Sequence, residues 1–246
     1  MKTAPHRPNY IITLVLLVVL VVTGLGVNLL IVSSTYDTPV APAINTAVTI
    51  DTEPTVVNNH DDPTKIDVLV NKKHPLNPLD FTPNLVTIDG ATLQPEAANA
   101  WHTMRLAAEN DGITLNTNSS YRSYSTQVAT YNHWTAVNGS SKLADQVSAR
   151  PGYSEHQTGL ALDISTGSCT LDCFDNSASY HWLVENGYKF GFIQRYQTGE
   201  ESITGYSAEN WHWRYVGIDT ATDMRNKGIK TLEEYWHISG GDYSDS

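Results

Sequence analysis

The chain has 246 residues, 40% of them hydrophobic and 17% charged, and a formal net charge of −11. With 26 acids against 15 bases it lacks the clustered Lys and Arg that phosphate binding requires, which argues against nucleic acid as its main partner. One uncharged, apolar stretch, Ile11–Val32, excludes a simple cytosolic enzyme.

In chain order, that stretch comes first. Its 22 residues are enough to cross a hydrocarbon core of about 30 Å as a helix. Lys2 and Arg7 precede it. No Lys or Arg follows before Lys65, whereas Asp37, Asp51, Glu53, Asp61 and Asp62 do. The positive-inside rule therefore predicts a cytoplasmic tail over 1–10, a transmembrane anchor over 11–32 and everything else outside the cell membrane. A cleaved signal peptide is the competing reading, but its apolar core of roughly 7–15 residues is shorter than this run. No Cys lies near the end of the run, so a lipid-modified Cys is excluded. Residues 33–67 are rich in Thr, Pro, Val, Asn and Asp and show no apolar periodicity. They read as an extended linker that cannot bury enough apolar surface to offset chain entropy. A folded domain is expected over 68–238, long enough for a single core, with a flexible tail over 239–246. Outside the membrane the chain carries 13 bases and 26 acids, or −13.

Within the domain, Pro95–Asn110 reads as a helix: Pro95 suits the first turn, Ala98, Trp101, Met104 and Leu106 form an apolar stripe, and Gly112 lies just beyond. Ile113–Thr117 reads as a short strand. Tyr124–Val137 reads as a second helix with Val128, Tyr131 and Trp134 on one face. Leu160–Ile164 alternates, with Leu160, Leu162 and Ile164 on one side and Ala161 and Asp163 on the other. A helix over Ala178–Glu185, a strand over Phe190–Tyr196 and a strand over Trp211–Val216 follow. In the last of these, Trp211, Trp213 and Tyr215 oppose His212 and Arg214. Thr231 with Glu234 is a capping-box pattern opening a final short helix. There is no βαβ rhythm and no glycine-rich phosphate loop, which predicts an α+β fold. The exported location favours a bond between Cys169 and Cys173, closing a small loop, over two free thiols. Two Cys are too few for a Cys-based zinc site.

Of nine His, seven need no special explanation: His6, His60, His74, His102, His133, His181 and His237. His156 and His212 differ. Asp163 occupies the polar side of an otherwise apolar strand, where a carboxylate is costly to bury unless it is paired or bound to a cation. His156 precedes that strand through a Thr158–Gly159 turn that can fold it back beside Asp163, and His212 is a polar residue on an aromatic strand. Two His and one carboxylate are the ligand set of a catalytic zinc with an open position. Glu209 lies three residues before His212. Because positions i and i+3 of an ideal strand face opposite ways, Glu209 is expected in the turn before the strand. Each residue alone has an ordinary alternative, a salt bridge for the Asp and a hydrogen bond for each His.

Three segments taken together resemble a known family. Ser119-Ser120-Tyr121-Arg122-Ser123 with Gln127, then Ser154-Glu155-His156-Gln157-Thr158-Gly159-Leu160-Ala161-Leu162-Asp163-Ile164, then Glu209-Asn210-Trp211-His212-Trp213-Arg214-Tyr215-Val216-Gly217 are similar to the VanY-type D-alanyl-D-alanine carboxypeptidases, zinc peptidases of the M15 family. The resemblance covers most of 70–236. It implies an α+β fold in which a small antiparallel sheet with flanking helices carries a zinc site, the D-Ala-D-Ala carboxypeptidase or hedgehog-like fold. It implies Zn2+ bound by His156, Asp163 and His212, Glu209 as catalytic base, and Arg122 beside the scissile carbonyl. Ser154, Gln127 and Tyr121 are expected as substrate contacts. Turn, exposed-helix and core roles respectively are their alternatives. The implied partner is a peptidoglycan stem peptide ending in D-Ala, met by a membrane-anchored monomer. An L,D-carboxypeptidase acting on tetrapeptide stems shares the same motifs. A non-catalytic cell-wall-binding module is the alternative of a different class, and no substitution at a ligand or at the base favours it.

Overall fold

The computed structural model describes residues 60–244 apart from Ser168 and Thr170. The expected anchor and residues 33–59 of the expected linker lie outside the described residues. Among the described residues, no helix is long and apolar enough to cross a membrane.

A hairpin opens the fold: β1 (Val86–Ile88) and β2 (Ala91–Leu93) pair antiparallel. Its turn, Asp89-Gly90, has positive φ at both residues, 50° and 80°, as a tight hairpin turn requires. This element was not expected from the hydrophobic pattern, because its strands have only three residues each. Helix α1 (Pro95–Asn110) has its predicted bounds and buries Ala97, Ala98, Trp101, Met104 and Ala108. Leu106 does not belong to that stripe and is exposed. Two positions from Met104 it points about 200° around the helix.

Strand β3 (Asn116–Ser119) begins three residues later than expected. Its sequence is entirely polar, and the apolar Ile113 and Leu115 that suggested a strand lie before it and pack into the core. Helix α2 (Tyr124–Asn138) is capped by the Ser123 hydroxyl, which accepts from the Thr126 N–H, and ends at Gly139 in the left-handed conformation. The expected apolar face of Val128, Tyr131 and Trp134 is not a core face, since Gln127 is the helix's buried residue. After α3 (Ser141–Ala144) come β4 (Ala161–Ser165), α4 (Ala178–Asn186), β5 (Phe192–Tyr196), α5 (Glu201–Thr204), β6 (Glu209–Tyr215), α6 (Ile218–Lys227) and α7 (Leu232–Trp236). The predicted capping box opens α7, with the Thr231 oxygen accepting from the Glu234 N–H.

Four strands form an antiparallel sheet in the order β3-β4-β6-β5. Leu162, Ile164, Phe192, Trp213 and Tyr215 pack with the buried face of α1 and with Leu183 in the main core. Alternation sends Asp163, His212 and Arg214 to the other side. The α+β expectation holds.

Order extends past both expected ends of the folded domain, 68 and 238. Residues 60–67 are packed rather than extended: the His60 ring stacks on Trp236 at 4.2 Å between centroids, and the Leu69 N–H donates to the His60 carbonyl at 2.8 Å. Residues 239–244 are likewise held. The Gly241 N–H donates to the Ile203 carbonyl, Asp242 pairs with buried Lys72 at 2.8 Å, and buried Tyr243 lies under the Arg150 guanidinium at 4.0 Å. Packing one aromatic ring at each end, with an ion pair at the C-terminal one, offsets the entropy that composition alone predicted would win. Cys169 and Cys173 are joined by a disulfide.

Candidate active site

The site is assembled by one turn and one strand register. Glu155–Thr158 form a single 3-10 turn that ends at Gly159, whose φ is +68°. A Cβ at Gly159 would lie 2.8 Å from Leu85 Cδ2 and 3.2 Å from the Gln94 backbone nitrogen, so glycine is required both by conformation and by space. The turn reverses the chain into β4 and brings His156 back beside Asp163. Asp163 in turn sits directly opposite His212 in the β4–β6 ladder.

The three side chains are buried and their ligand atoms lie within 4.8 Å of one another. His156 Nε2 is 3.4 Å and His212 Nδ1 3.5 Å from the same oxygen, Asp163 Oδ1. Ligands about 2.1 Å from a tetrahedral ion stand about 3.4 Å apart, so these spacings suit one small cation. Asp163 Oδ1 is buried and has no hydrogen-bond donor, the signature of an oxygen awaiting a cation. The outward nitrogens are both satisfied: His156 Nδ1 is 2.7 Å from the Ser120 carbonyl, and His212 Nε2 is 3.2 Å from Glu155 Oε2. Each His thus has one nitrogen engaged by an acceptor and the other turned toward the shared point, as metal-binding His requires. The residues present fit Zn2+.

Glu209 lies over the same point, with Oε2 3.5 Å from His212 Nδ1. It is the first residue of β6, not a turn residue as expected. Between the pairs Gln194↔Trp213 and Tyr196↔Glu209, β6 advances four residues while β5 advances two. This irregularity breaks the alternation and turns residues i and i+3 to one side. Burial pushes the Glu209 carboxyl up to about 7, with His212 and Arg122 pulling it down and Asp163 adding to the rise. For His212 burial opposes charge, yet the Asp163 and Glu155 carboxylates outweigh it and raise the imidazole to about 9; a metal cation bound at Nδ1 would displace that proton. Asp163 stays well below the usual carboxylate range, because His156 and His212 overcome its burial.

Arg122 follows β3, and its backbone N–H donates to the His156 carbonyl at 3.1 Å. Its guanidinium feels the charges of Asp163 and Glu209. Gln127 is fully buried behind it: Gln127 Oε1 accepts from Arg122 Nη1 at 3.0 Å, while its amide nitrogen donates to the Ala149 carbonyl at 2.6 Å. Arg122, Ser154, Glu155, His156, Asp163, Glu209 and His212 line one pocket of about 270 Å³, walled also by Trp134, Tyr196, Tyr206 and Trp211. A second cavity of about 340 Å³ between α4 and α6 holds no carboxylate or histidine and is remote from this chemistry.

Two expected substrate contacts lie outside the pocket lining. Gln127 does not line the pocket, because its amide is committed to Arg122 and Ala149. Tyr121 does not line it either. Neighbours in an extended segment point opposite ways, and Arg122 takes the side facing the metal site. Ser154 does line the pocket, and its hydroxyl makes no capping bond to the following turn. Glu155 was missed as a functional group although it stands beside His156. Tyr196, whose ring centroid is 4.9 Å from that of His212, was also missed, since an aromatic at a strand end has no chemical signature of its own.

This geometry can be set beside known proteins. The family model for VanY, D-alanyl-D-alanine carboxypeptidase, matches residues 90–218. The chain belongs to the VanY family. YodJ of Bacillus subtilis is 38% identical over 188 residues, covering 71% of this chain and 68% of YodJ. The solved structure of the LD-carboxypeptidase LdcB superposes with a TM-score of 0.66 at 38% identity, covering 73% of this chain and 89% of that one. A variant of the D,D-pentapeptidase VanY from a VanB-type vancomycin-resistance cassette, solved with Zn(II), gives a TM-score of 0.61 at 34% identity, covering 68% of this chain and 97% of that one. This VanY family member is accordingly a zinc metallo-carboxypeptidase.

Proposed function

We propose that this VanY-type enzyme is held at the outer face of the cell membrane by Ile11–Val32 and removes the terminal D-alanine from D-Ala-D-Ala-ending peptidoglycan stem peptides. One observation carries the reading: a three-ligand metal site, the half-buried Glu209 carboxylate and the half-buried Arg122 guanidinium converge on a single pocket. The apolar run and the basic residues before it support the location.

Zinc, when bound by His156, Asp163 and His212, supplies a Lewis acid and a water whose pKa is drawn toward about 7. Glu209 takes the proton of the attacking water and passes it to the nitrogen of the departing D-alanine. Its carboxylate lies over the metal site, with Oε2 3.5 Å from His212 Nδ1. Arg122 keeps its charge throughout and donates to the oxygen on which negative charge develops. Ser154 offers a hydroxyl to the bound peptide from the pocket wall.

A second reading has its own support. LdcB, named an LD-carboxypeptidase, is 38% identical, against 34% for the D,D-pentapeptidase. Cleavage of tetrapeptide stems would use the same residues. The test offers the full chain pentapeptide- and tetrapeptide-stem muropeptides side by side and follows D-alanine release by mass spectrometry. Release from the pentapeptide that stops on chelation supports the first reading, and release from the tetrapeptide alone supports the second. Release that survives full chelation or Glu209→Ala refutes both.

A further inference from the structure

Behind the metal site lies a buried ionic cluster that none of these steps uses. The side chains of Glu155, Arg195 and Arg214 are 0% exposed. Glu155 Oε1 accepts from Arg195 Nε and from Arg214 Nη1, each at 2.9 Å. Arg195 continues to Glu233 of α7 at 2.7 Å, and Glu233 also accepts from Asn71 Nδ2 at 2.9 Å. Arg214 Nη2 is tied to the Ile66 and Val68 carbonyls. Two carboxylates face two guanidiniums, so the cluster is electrically complete without a charge on His212. Glu155 cannot rotate without leaving buried Arg214 with no carboxylate and Arg195 with Glu233 alone, a costly arrangement.

We infer that Glu155 is the positioning residue of His212: its fixed Oε2 accepts the Nε2–H and so keeps Nδ1 bare and aimed at the metal. The inference rests on the zinc reading of His156, Asp163 and His212. A neutral imidazole carries one proton, and a metal-binding nitrogen must carry none. An ionised Glu155 is acceptor-only, so the nitrogen 3.2 Å from it must be the one bearing hydrogen. His156 is set differently, through the backbone carbonyl of Ser120 on its Nδ1. The two histidines therefore present different nitrogens, Nε2 and Nδ1, to one site.

The Glu155→Gln substitution breaks this logic at constant size. If the amide oxygen stays on the two guanidiniums, the NH2 faces His212 Nε2, favours the Nδ1–H tautomer and blocks the ligand nitrogen. If the amide flips, its NH2 confronts the guanidiniums. The test measures zinc affinity of the full chain by chelator competition for wild type, Glu155→Gln and Glu233→Gln, the last touching the same Arg195 away from the metal. We expect Glu155→Gln to weaken zinc about 10- to 100-fold and Glu233→Gln to leave it within about threefold. Equal affinity for Glu155→Gln, or equal weakening by both, overturns the inference. Should Glu155→Gln fail to fold, the ring-nitrogen NMR spectrum of the zinc-loaded wild type decides. A proton on His212 Nε2 with Nδ1 metal-bound supports the assignment, and the reverse pattern overturns it. Failure of the wild type to bind zinc would instead refute the zinc reading.

Discussion

Gln127 is the residue at which two roles make opposite quantitative demands. Its side-chain oxygen holds Arg122 at 3.0 Å and its nitrogen holds the Ala149 carbonyl at 2.6 Å. Gln127→Ala removes both bonds, and a longer one to Ser148 Oγ at 3.4 Å, from a fully buried site. A hydrogen bond to a charged partner contributes about 1.5–3 kcal/mol, and a buried carbonyl left unpaired costs about 1–3 kcal/mol. The expected loss of stability is about 2–4 kcal/mol, which urea unfolding of wild type and variant will measure. The catalytic effect must pass through Arg122. Removing the guanidinium itself, as in Arg122→Ala, should lower kcat about 10²- to 10³-fold, as loss of an oxyanion donor does. Misplacing it by a fraction of an ångström to an ångström should lower kcat about 10- to 100-fold. The decisive measurement is the double variant. If Gln127 acts only by holding Arg122, the double variant turns over no more than about twofold slower than Arg122→Ala alone, because the supported group is already gone. Multiplicative loss in the double variant, read as D-alanine release at saturating zinc, would show that Gln127 meets the substrate itself and would refute the positioning argument.

Four further outcomes follow from the geometry. Glu209→Gln should lower kcat about 10²- to 10⁴-fold while bound zinc, measured by elemental analysis, stays at the wild-type level; parallel loss of zinc would mean a structural role. Asp163→Asn should weaken zinc by more than the roughly 10- to 100-fold typical of an outer-sphere partner, since it neutralises the one ligand oxygen left unpaired in the protein. Burial raises the pKa of Glu155, but Arg195, Arg214 and His212 outweigh it and hold it well below its ordinary 4.5. Its contribution to stability is therefore complete above about pH 4.5 and is lost as the pH falls through and below that value, so urea unfolding at pH 7, 4 and 3 should show a steeper acid loss for wild type than for Glu155→Gln. Reducing the Cys169–Cys173 bond, which spans a sequence separation of 4, should cost about 2 kcal/mol in the chain-entropy account and leave zinc affinity unchanged.

Much of the fold was legible because its larger elements carry clean signals. Helix α1 has Pro at its start and an apolar face of four to five residues, and β4 and residues 212–215 of β6 alternate strictly enough to assign each residue to a side. The elements missed are those whose stabilisation is not in their own sequence. Strand β3 reads Asn-Thr-Asn-Ser and exists because β4 supplies its ladder partners. Residues 60–67 and 239–244 are short polar segments that acquire order by packing one ring each, His60 on Trp236 and Tyr243 on Arg150. Composition reports average burial, whereas these ends are fixed by single contacts far apart in sequence.

The site divides along the same line, and Glu209 and Glu155 show why. The three ligands were readable because strand alternation is local: His156 before a glycine turn, Asp163 and His212 on polar sides of apolar strands. Glu209 was readable as a participant but not as a strand residue, because the two-residue irregularity opposite Gln194–Tyr196 is a property of the pair of strands. Glu155 was within reach by a stricter accounting. Placing His212 and Arg214 on the same side of β6 puts an imidazole and a guanidinium side by side against the protein interior. A buried guanidinium needs a carboxylate, and in the Ser154–Ile164 motif only Glu155 and Asp163 can supply one. Asp163 was already assigned to the metal, which left Glu155 as the motif's candidate for Arg214, and the structure pairs them at 2.9 Å. The second guanidinium, Arg195, sits on the neighbouring strand, and only the β5–β6 pairing, Ile193 opposite Arg214, brings it within 2.9 Å of the same oxygen. The sequence thus contained the demand for Glu155 but not the pairing that locks it. The lock is what turns a neighbouring acid into a fixed acceptor for His212.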